Sequence, residues 1–251
     1  MLESLSIEII TLLFTVAILA GLIDTIAGGG GLITIPVLLS TGMSPISALA
    51  TNKFQSVFGT FSASLYFIRK KFVDLYEIKW MILVAFIGSI VGSFTLLQID
   101  SSILQKAIPI LLIAIGFYFL FSKNVGQIEK HKIVSILFFT AVVVFGISFY
   151  DGFFGPGTGS FFTIAFIFLL GLNISQATAQ TKVLNFTTNF GSLLFFLYFA
   201  EIYFIAGLIM GIGQIIGATI GAKLVIKNGS KIIRPLIVII SFAMSIKLLL
   251  Q

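Results

Sequence analysis

The residues of this chain that could do chemistry come in two sets of the same order. Asp24 is followed by four consecutive glycines and then by Lys53, and Asp151 is followed by a second glycine cluster and then by Lys182. The two aspartates lie 127 positions apart and the two lysines 129 positions apart. This spacing indicates two copies of one repeat that differ by a two-residue insertion. Ionisable groups and broken backbone inside apolar sequence are costly, so we interpret both sets as functional.

Glycines just before a helix leave backbone N–H groups free, and the positive end of the helix dipole lies beside them. Such an environment suits an anion, and a buried lysine adds a positive charge. We therefore predict a substrate site for a small anion near the middle of the membrane, about 10 Å along each lysine's helix. Its predicted members are Lys53, Lys182, Gly28, Gly29, Gly30, Gly31, Gly155, Gly157, Thr158, Asn52 and Thr181.

The two lysines and the two aspartates each have two interpretations. The lysines either contact the substrate directly or form static ion pairs within each repeat, Lys53 with Asp24 and Lys182 with Asp151. The aspartates either accept backbone N–H bonds at the helix break or carry a coupling proton. The predicted residues for coupling or for support of the helix break are Asp24, Asp151, Gln55 and Asn185, and Asn189 adds a further polar group nearby.

The composition restricts the class of protein. Hydrophobic residues make up 58% and charged residues 10% of the 251 positions, with a mean hydropathy of +1.16. A soluble domain carries about 25% charged residues, so these values indicate a multi-pass membrane protein. The absence of cysteine and the presence of one histidine argue against thiolate chemistry, a metal site and an enzyme, and we expect no cofactor. The lysines that produce the net charge of +6 are scattered, which argues against nucleic-acid binding.

Apolar stretches of about 20 residues predict membrane helices. Each repeat contains five apolar segments, of which the second is short: 7–23, 32–39, 46–68, 80–97 and 103–121, then 133–150, 161–170, 175–199, 204–222 and 232–250. The predicted organisation is a first repeat (1–122), a cytoplasmic linker (123–132) and a second repeat (133–251). Gly88 and Gly92 recur as Gly217 and Gly221, a spacing that lets helices pack closely, either within one protomer or between two.

Positive charge favours one topology, because cytoplasmic loops collect lysine and arginine. If all ten segments cross, eleven basic residues lie on one side and two on the other. Five crossings per repeat give the two copies opposite orientations and place both termini outside. We therefore predict an all-α protein of two inverted repeats, with short broken or re-entrant helices after the glycine clusters. The alternative is eight full helices with parallel halves and surface re-entrant loops.

These motifs resemble the sulfite exporter TauE/SafE family of membrane permeases. The resemblance rests on Asp24 with its glycines, Pro36 and the Ala-Thr-Asn-Lys ending at Lys53, and on the matching residues up to Lys182. It covers nearly the whole chain and implies an inner-membrane carrier of sulfite, a sulfonate or a related small anion. One expected difference between the copies is Thr163 in the place of Pro36.

We accordingly expect a permease that works by alternating access in the inner membrane. Its expected partners are the anion, the lipid bilayer and a coupling ion such as the proton, and a homodimer is left open. The alternatives are an anion channel, a non-transporting membrane subunit and an intramembrane enzyme.

Overall fold

The computed structural model describes residues 6–100, 102–104, 110 and 132–228. Eight helices of more than ten residues lie in this part of the chain: α1 (Ile7–Ala27), α2 (Gly30–Ser40), α3 (Pro45–Arg69), α4 (Lys79–Leu97), α5 (Ile136–Phe153), α6 (Thr158–Leu170), α7 (Ile174–Phe199) and α8 (Phe204–Asn228). Six residues within α5, Phe139–Val144, are π-helical. Of the fifth segment predicted for the first repeat, only residues 103, 104 and 110 are described, and they are helical. The rest of that segment, the fifth segment of the second repeat and most of the linker lie outside the described residues.

The helices α1 to α4 correspond to α5 to α8, as the repeat predicts. One difference from the predicted boundaries is at Asp24, which we expected to end α1. The helix continues for another turn to Ala27 and ends at Gly28, whose φ of +80° is left-handed. The Gly28 N–H donates to the Asp24 carbonyl oxygen at 2.7 Å, which closes the last turn.

Helix length separates two kinds of segment. Four helices, α1, α4, α5 and α8, are long and apolar enough to cross a membrane. The 11 residues of α2 and the 13 of α6 extend only about 17 and 20 Å, less than the roughly 30 Å hydrocarbon layer. The described chain is thus an all-α, multi-pass membrane protein with two short helices, each of which follows a glycine cluster.

The remaining pair, α3 and α7, is central and polar inside. Both helices are long, with 25 and 26 residues, and both bury hydroxyl, amide and ammonium side chains. Large apolar side chains such as Phe94, Tyr198 and Ile205 are instead exposed on the outer surface of the described helices. This distribution is the reverse of a soluble protein's and suits a lipid environment.

Each repeat packs its first helix against the fourth helix of the other repeat. The helix α8 of the second repeat packs along α1 of the first, where Gly217 and Gly221 lie against Ile18 and Leu22. A Cβ at Gly217 would collide with the carbonyl oxygen of Ile18, and one at Gly221 would lie 2.9 Å from that of Leu22. Only glycine allows this approach of the two backbones, and residue numbers rise together along both helices, so α1 and α8 run in the same direction.

The equivalent interface in the repeat joins α4 of the first repeat to α5 of the second. Gly88 faces the carbonyl oxygen of Phe145 and Gly92 faces that of Phe149. These four residues are the repeat equivalents of those at the α1–α8 contact. The predicted Gly-x-x-x-Gly faces therefore pack within one chain, between its two repeats.

The helices α3 and α7 run in opposite directions. The early part of α3, with Leu49 and Ala50, shares an apolar cluster with Leu193 and Phe196 from the late part of α7. A second cluster joins the late part of α3 to the early part of α7. These helices occupy the same place in the two repeats. Opposite directions at equivalent places are what inverted repeats are expected to show.

Candidate functional site

The two lysines form ion pairs with the aspartates of the opposite repeat. Lys53 Nζ lies 2.8 Å from Asp151 Oδ1, and Lys182 Nζ lies 2.9 Å from Asp24 Oδ2. Both lysine side chains are almost completely buried. One of our two interpretations, ion pairs within each repeat, was therefore wrong about the partners: each lysine pairs with the aspartate of the other repeat. The reason is the exchange of helices: α1 packs with the second repeat and α5 with the first.

The two aspartates have different environments. Asp24 Oδ1 accepts the Gly30 N–H at 3.2 Å while Oδ2 accepts from Lys182, so both oxygens have a donor. This contact with a backbone N–H is of the kind predicted for a cap at the first break. Asp151 Oδ1 accepts from Lys53 and, at 2.9 Å, from the Thr158 hydroxyl, which shares its one proton with the Gly155 carbonyl oxygen at 2.6 Å. The buried Oδ2 of Asp151 has no hydrogen-bond partner among the described residues. The predicted backbone N–H cap is thus replaced at Asp151 by a side-chain hydroxyl.

The two glycine clusters cross each other where α2 and α6 begin. A Cβ at Gly28 would clash with Gly159 and Ser160, and the Ser160 hydroxyl donates to the carbonyl oxygen of Ala27. Gly31 lies against Pro156 in the same crossing. The breaks of both repeats therefore meet at one point, which holds the N-terminal ends of the two short helices together.

The extra two residues of the second copy lie in its glycine loop. Thr34 donates to the Gly30 carbonyl oxygen, as Thr163 does to that of Gly159, so positions in α2 and α6 correspond at a separation of 129. The counterpart of Thr163 is consequently Thr34, and the expected substitution of Thr163 for Pro36 was wrong. Pro36 instead corresponds to Ala165, and the longer second loop brings Thr158 back to Asp151.

A polar cavity of about 30 Å³ lies between the breaks and the two central helices. Ser56, near the middle of α3, and Asn185, near the middle of α7, both line it. Its lining residues are Asp24, Gly28, Gly31, Asn52, Lys53, Ser56, Asp151, Gly155, Gly157, Thr158, Gly159, Asn185 and Asn189. This volume has room for a few water molecules, so an anion with several heavy atoms needs some side-chain movement to enter.

Ten of the fifteen predicted site or support residues line this cavity. The other five surround it: Gly29, Gly30, Gln55, Thr181 and Lys182. Gln55 Nε2 donates to Asn52 Oδ1 at 2.8 Å, and the hydroxyl groups of Thr163 and Thr181 bond to each other at 3.1 Å. Gln55 and Lys182 thus hold the lining side chains of Asn52 and Asp24, whereas the Thr163–Thr181 bond joins α6 to α7 outside the lining.

Ser56 and Gly159 line the cavity but were absent from the predicted set. A serine in a helix carries no distinctive sequence signal, although its position three residues after Lys53 places it on the same face. Gly159 belongs to the second glycine cluster and could have been included with it. No group of three or more metal-binding side chains occurs in the part of the chain that the structure describes.

The arrangement of two broken helices around a buried polar cavity is that of a membrane permease. The family model of the sulfite exporter TauE/SafE matches residues 13–248, so the chain belongs to this family.

Three similar proteins are named as probable membrane transporters. A "Probable membrane transporter protein" of Haemophilus influenzae is 46% identical over 97% of this chain and 96% of its own length. The "Probable membrane transporter protein YfcA" of Escherichia coli K12 is 47% identical, with 94% and 88% covered. The "Probable membrane transporter protein ORF9" of a Sinorhizobium species is 43% identical, with 98% and 95% covered. No solved structure matches the chain.

Proposed function

We propose that this protein is a secondary transporter that moves a small sulfur-containing or organic anion, such as sulfite or a sulfonate, across the inner membrane. The observation that carries the proposal is the cavity at the crossing of the two broken helices, with the buried ammonium group of Lys53 in its wall. The N-terminal ends of α2 and α6 add their partial positive charges to the same place. Family membership and the names of the relatives support a permease.

The proposed mechanism is alternating access between two inverted repeats. The opposite directions of α3 and α7, and the parallel contacts of α1 with α8 and of α4 with α5, support this symmetry. In such carriers, one group of helices moves against the other around a fixed central site. The crossing of the glycine clusters is the natural pivot, because both repeats contribute to it.

Flux into liposomes tests the proposal directly. The purified protein is reconstituted and offered sulfite, thiosulfate, sulfoacetate, taurine, sulfate and a carboxylate. We expect one of the sulfur-containing anions to be transported with saturating kinetics. Flux that rises linearly without saturation would support a channel instead, and no flux of any anion would contradict the function.

Two lysine variants localise the site. Lys53→Ala removes a charge from the cavity wall and is expected to lower the transport efficiency by about tenfold or more, the effect of one charge-assisted hydrogen bond. Lys70→Ala is the matched control, since Lys70 is exposed at the end of the same helix. Equal transport by both variants would remove Lys53 from the substrate site.

A further inference from the structure

We propose that the anion binds together with one proton, that Asp151 receives this proton, and that Asp24 does not. This inference rests on the proposed anion site and names its coupling group. Its starting point is the difference between two aspartates that occupy equivalent positions in the two repeats.

The hydrogen bonds separate the two carboxylates. Each oxygen of Asp24 has a donor, the Gly30 N–H or the Lys182 ammonium group, so both oxygens of this carboxylate are satisfied as acceptors. Asp151 places both of its donors on Oδ1 and leaves Oδ2 buried with no partner among the described residues. A negatively charged oxygen that is buried without a donor is costly. A proton on Oδ2 cancels that charge, and the resulting hydroxyl group can donate into the cavity that Asp151 lines.

The surroundings of Asp151 restrict which charges act on it. In the described helices, these charges are Lys53 from α3, in direct contact, and the second pair, Asp24 of α1 and Lys182 of α7. The neighbouring phenol of Tyr150 donates to the Pro156 carbonyl oxygen. The helix α6 has no charged residue, and the charged residue of α4 is Lys79 at its exposed start.

Protonation of Asp151 would release Lys53 for the substrate. With Asp151 ionised, Lys53 and Asp151 neutralise each other, and an incoming anion has to compete with the carboxylate. With the proton on Oδ2, the carboxyl group is neutral and Lys53 keeps its charge. A monovalent anion on Lys53 then restores neutrality, so proton and anion bind as a pair and buried charge is avoided.

Calorimetry of the wild-type protein in detergent gives the first test. The probe is a monovalent sulfonate that has no second ionisable group and does not titrate near neutral pH, with methanesulfonate as the first choice. Titrations in two buffers with different ionisation enthalpies measure proton uptake, which we expect to approach one proton per anion. The affinity should rise by up to about tenfold per pH unit as the pH falls.

Variants then assign the proton. Asp151→Asn imitates the protonated carboxyl group and is expected to bind the anion without proton uptake and with an affinity independent of pH. Asp24→Asn is the matched control at the equivalent position and is expected to retain proton uptake. Uptake that disappears in Asp24→Asn and remains in Asp151→Asn would overturn the assignment.

Failure of the coupling differs from failure of the function. Anion binding without proton uptake in the wild type would overturn the coupling proposal and leave the transporter proposal standing. Binding that depends on Na⁺ instead of pH would overturn the proton as the coupling ion. Absence of binding for every anion at every pH would contradict the proposed function itself.

Discussion

At the scale of single residues, the most informative feature is the pairing of each lysine with the aspartate of the other repeat. A buried charge is costly unless it is paired, so the polar residues inside these apolar segments were readily recognised in the sequence. Their partners were not, because the spacing within each copy fits either pairing. Only the exchange of α1 and α5 between the repeats decides it, and this exchange depends on tertiary packing.

A double-mutant cycle tests the pairing. Lys53→Met leaves Asp151 without its cation and should lower the stability by about 3–5 kcal/mol, whereas Lys53→Met with Asp151→Asn should cost clearly less. Lys53→Met with Asp24→Asn is the comparison, and its effects should be close to additive. Thermal unfolding in detergent measures all six proteins: the wild type, the three single variants and the two double variants. Coupling to Asp24 in place of Asp151 would restore the pairing within each repeat.

At the scale of helices, glycine decides which surfaces can touch. The repeat predicted equivalent Gly-x-x-x-Gly faces, but the spacing alone could not say whether they pack within a chain or between chains. The structure places them against the carbonyl oxygens of α1 and α5. The position of the two-residue insertion was also invisible, because runs of glycine can be aligned in more than one register. For this reason the counterpart of Pro36 was misassigned.

Two glycines provide a matched test of helix contact. Gly92→Ala would drive a Cβ into the Phe149 carbonyl oxygen, while a Cβ at Gly146 meets nothing within 4 Å. We expect Gly92→Ala to separate α4 from α5 and to lower the melting temperature by several degrees. Gly146→Ala should leave stability unchanged or raise it by about 0.4–1 kcal/mol, the usual effect of this substitution in an open position. Thermal unfolding of the two proteins side by side makes the comparison. Equal stability would show that the close contact of α4 and α5 is dispensable.

At the scale of the whole molecule, the predicted all-α membrane fold and the family are confirmed, while the inverted topology stays a prediction. The bias of lysine and arginine toward one side favours it, and the directions of the helices support it. Most of the first repeat's fifth segment, most of the linker and the whole fifth segment of the second repeat fall outside the described residues, so the domain boundaries stay predictions as well.

The absence of cysteine from the sequence makes the topology simple to test. Asp74 lies in the exposed loop after α3, and Glu201 lies in the exposed loop after α7. The variants Asp74→Cys and Glu201→Cys each place a single cysteine in one of these loops. Inverted repeats predict that a membrane-impermeant thiol reagent labels residue 74 only from the cytoplasmic side and residue 201 only from the outer side. The wild type supplies the unlabelled control. Labelling of both positions from the same side would instead indicate parallel halves.

The crossed ion pairs also constrain how the protein is made. Asp151, the partner of Lys53, is translated 98 residues after it, and Lys182, the partner of Asp24, is translated 158 residues after it. At about 5–20 residues per second, the first of these intervals lasts roughly 5–20 seconds of synthesis. During this time the first repeat carries an aspartate and a lysine whose partners have not yet been translated. Correct insertion of the nascent chain therefore requires these charges to be kept hydrated or shielded until the second repeat emerges from the ribosome.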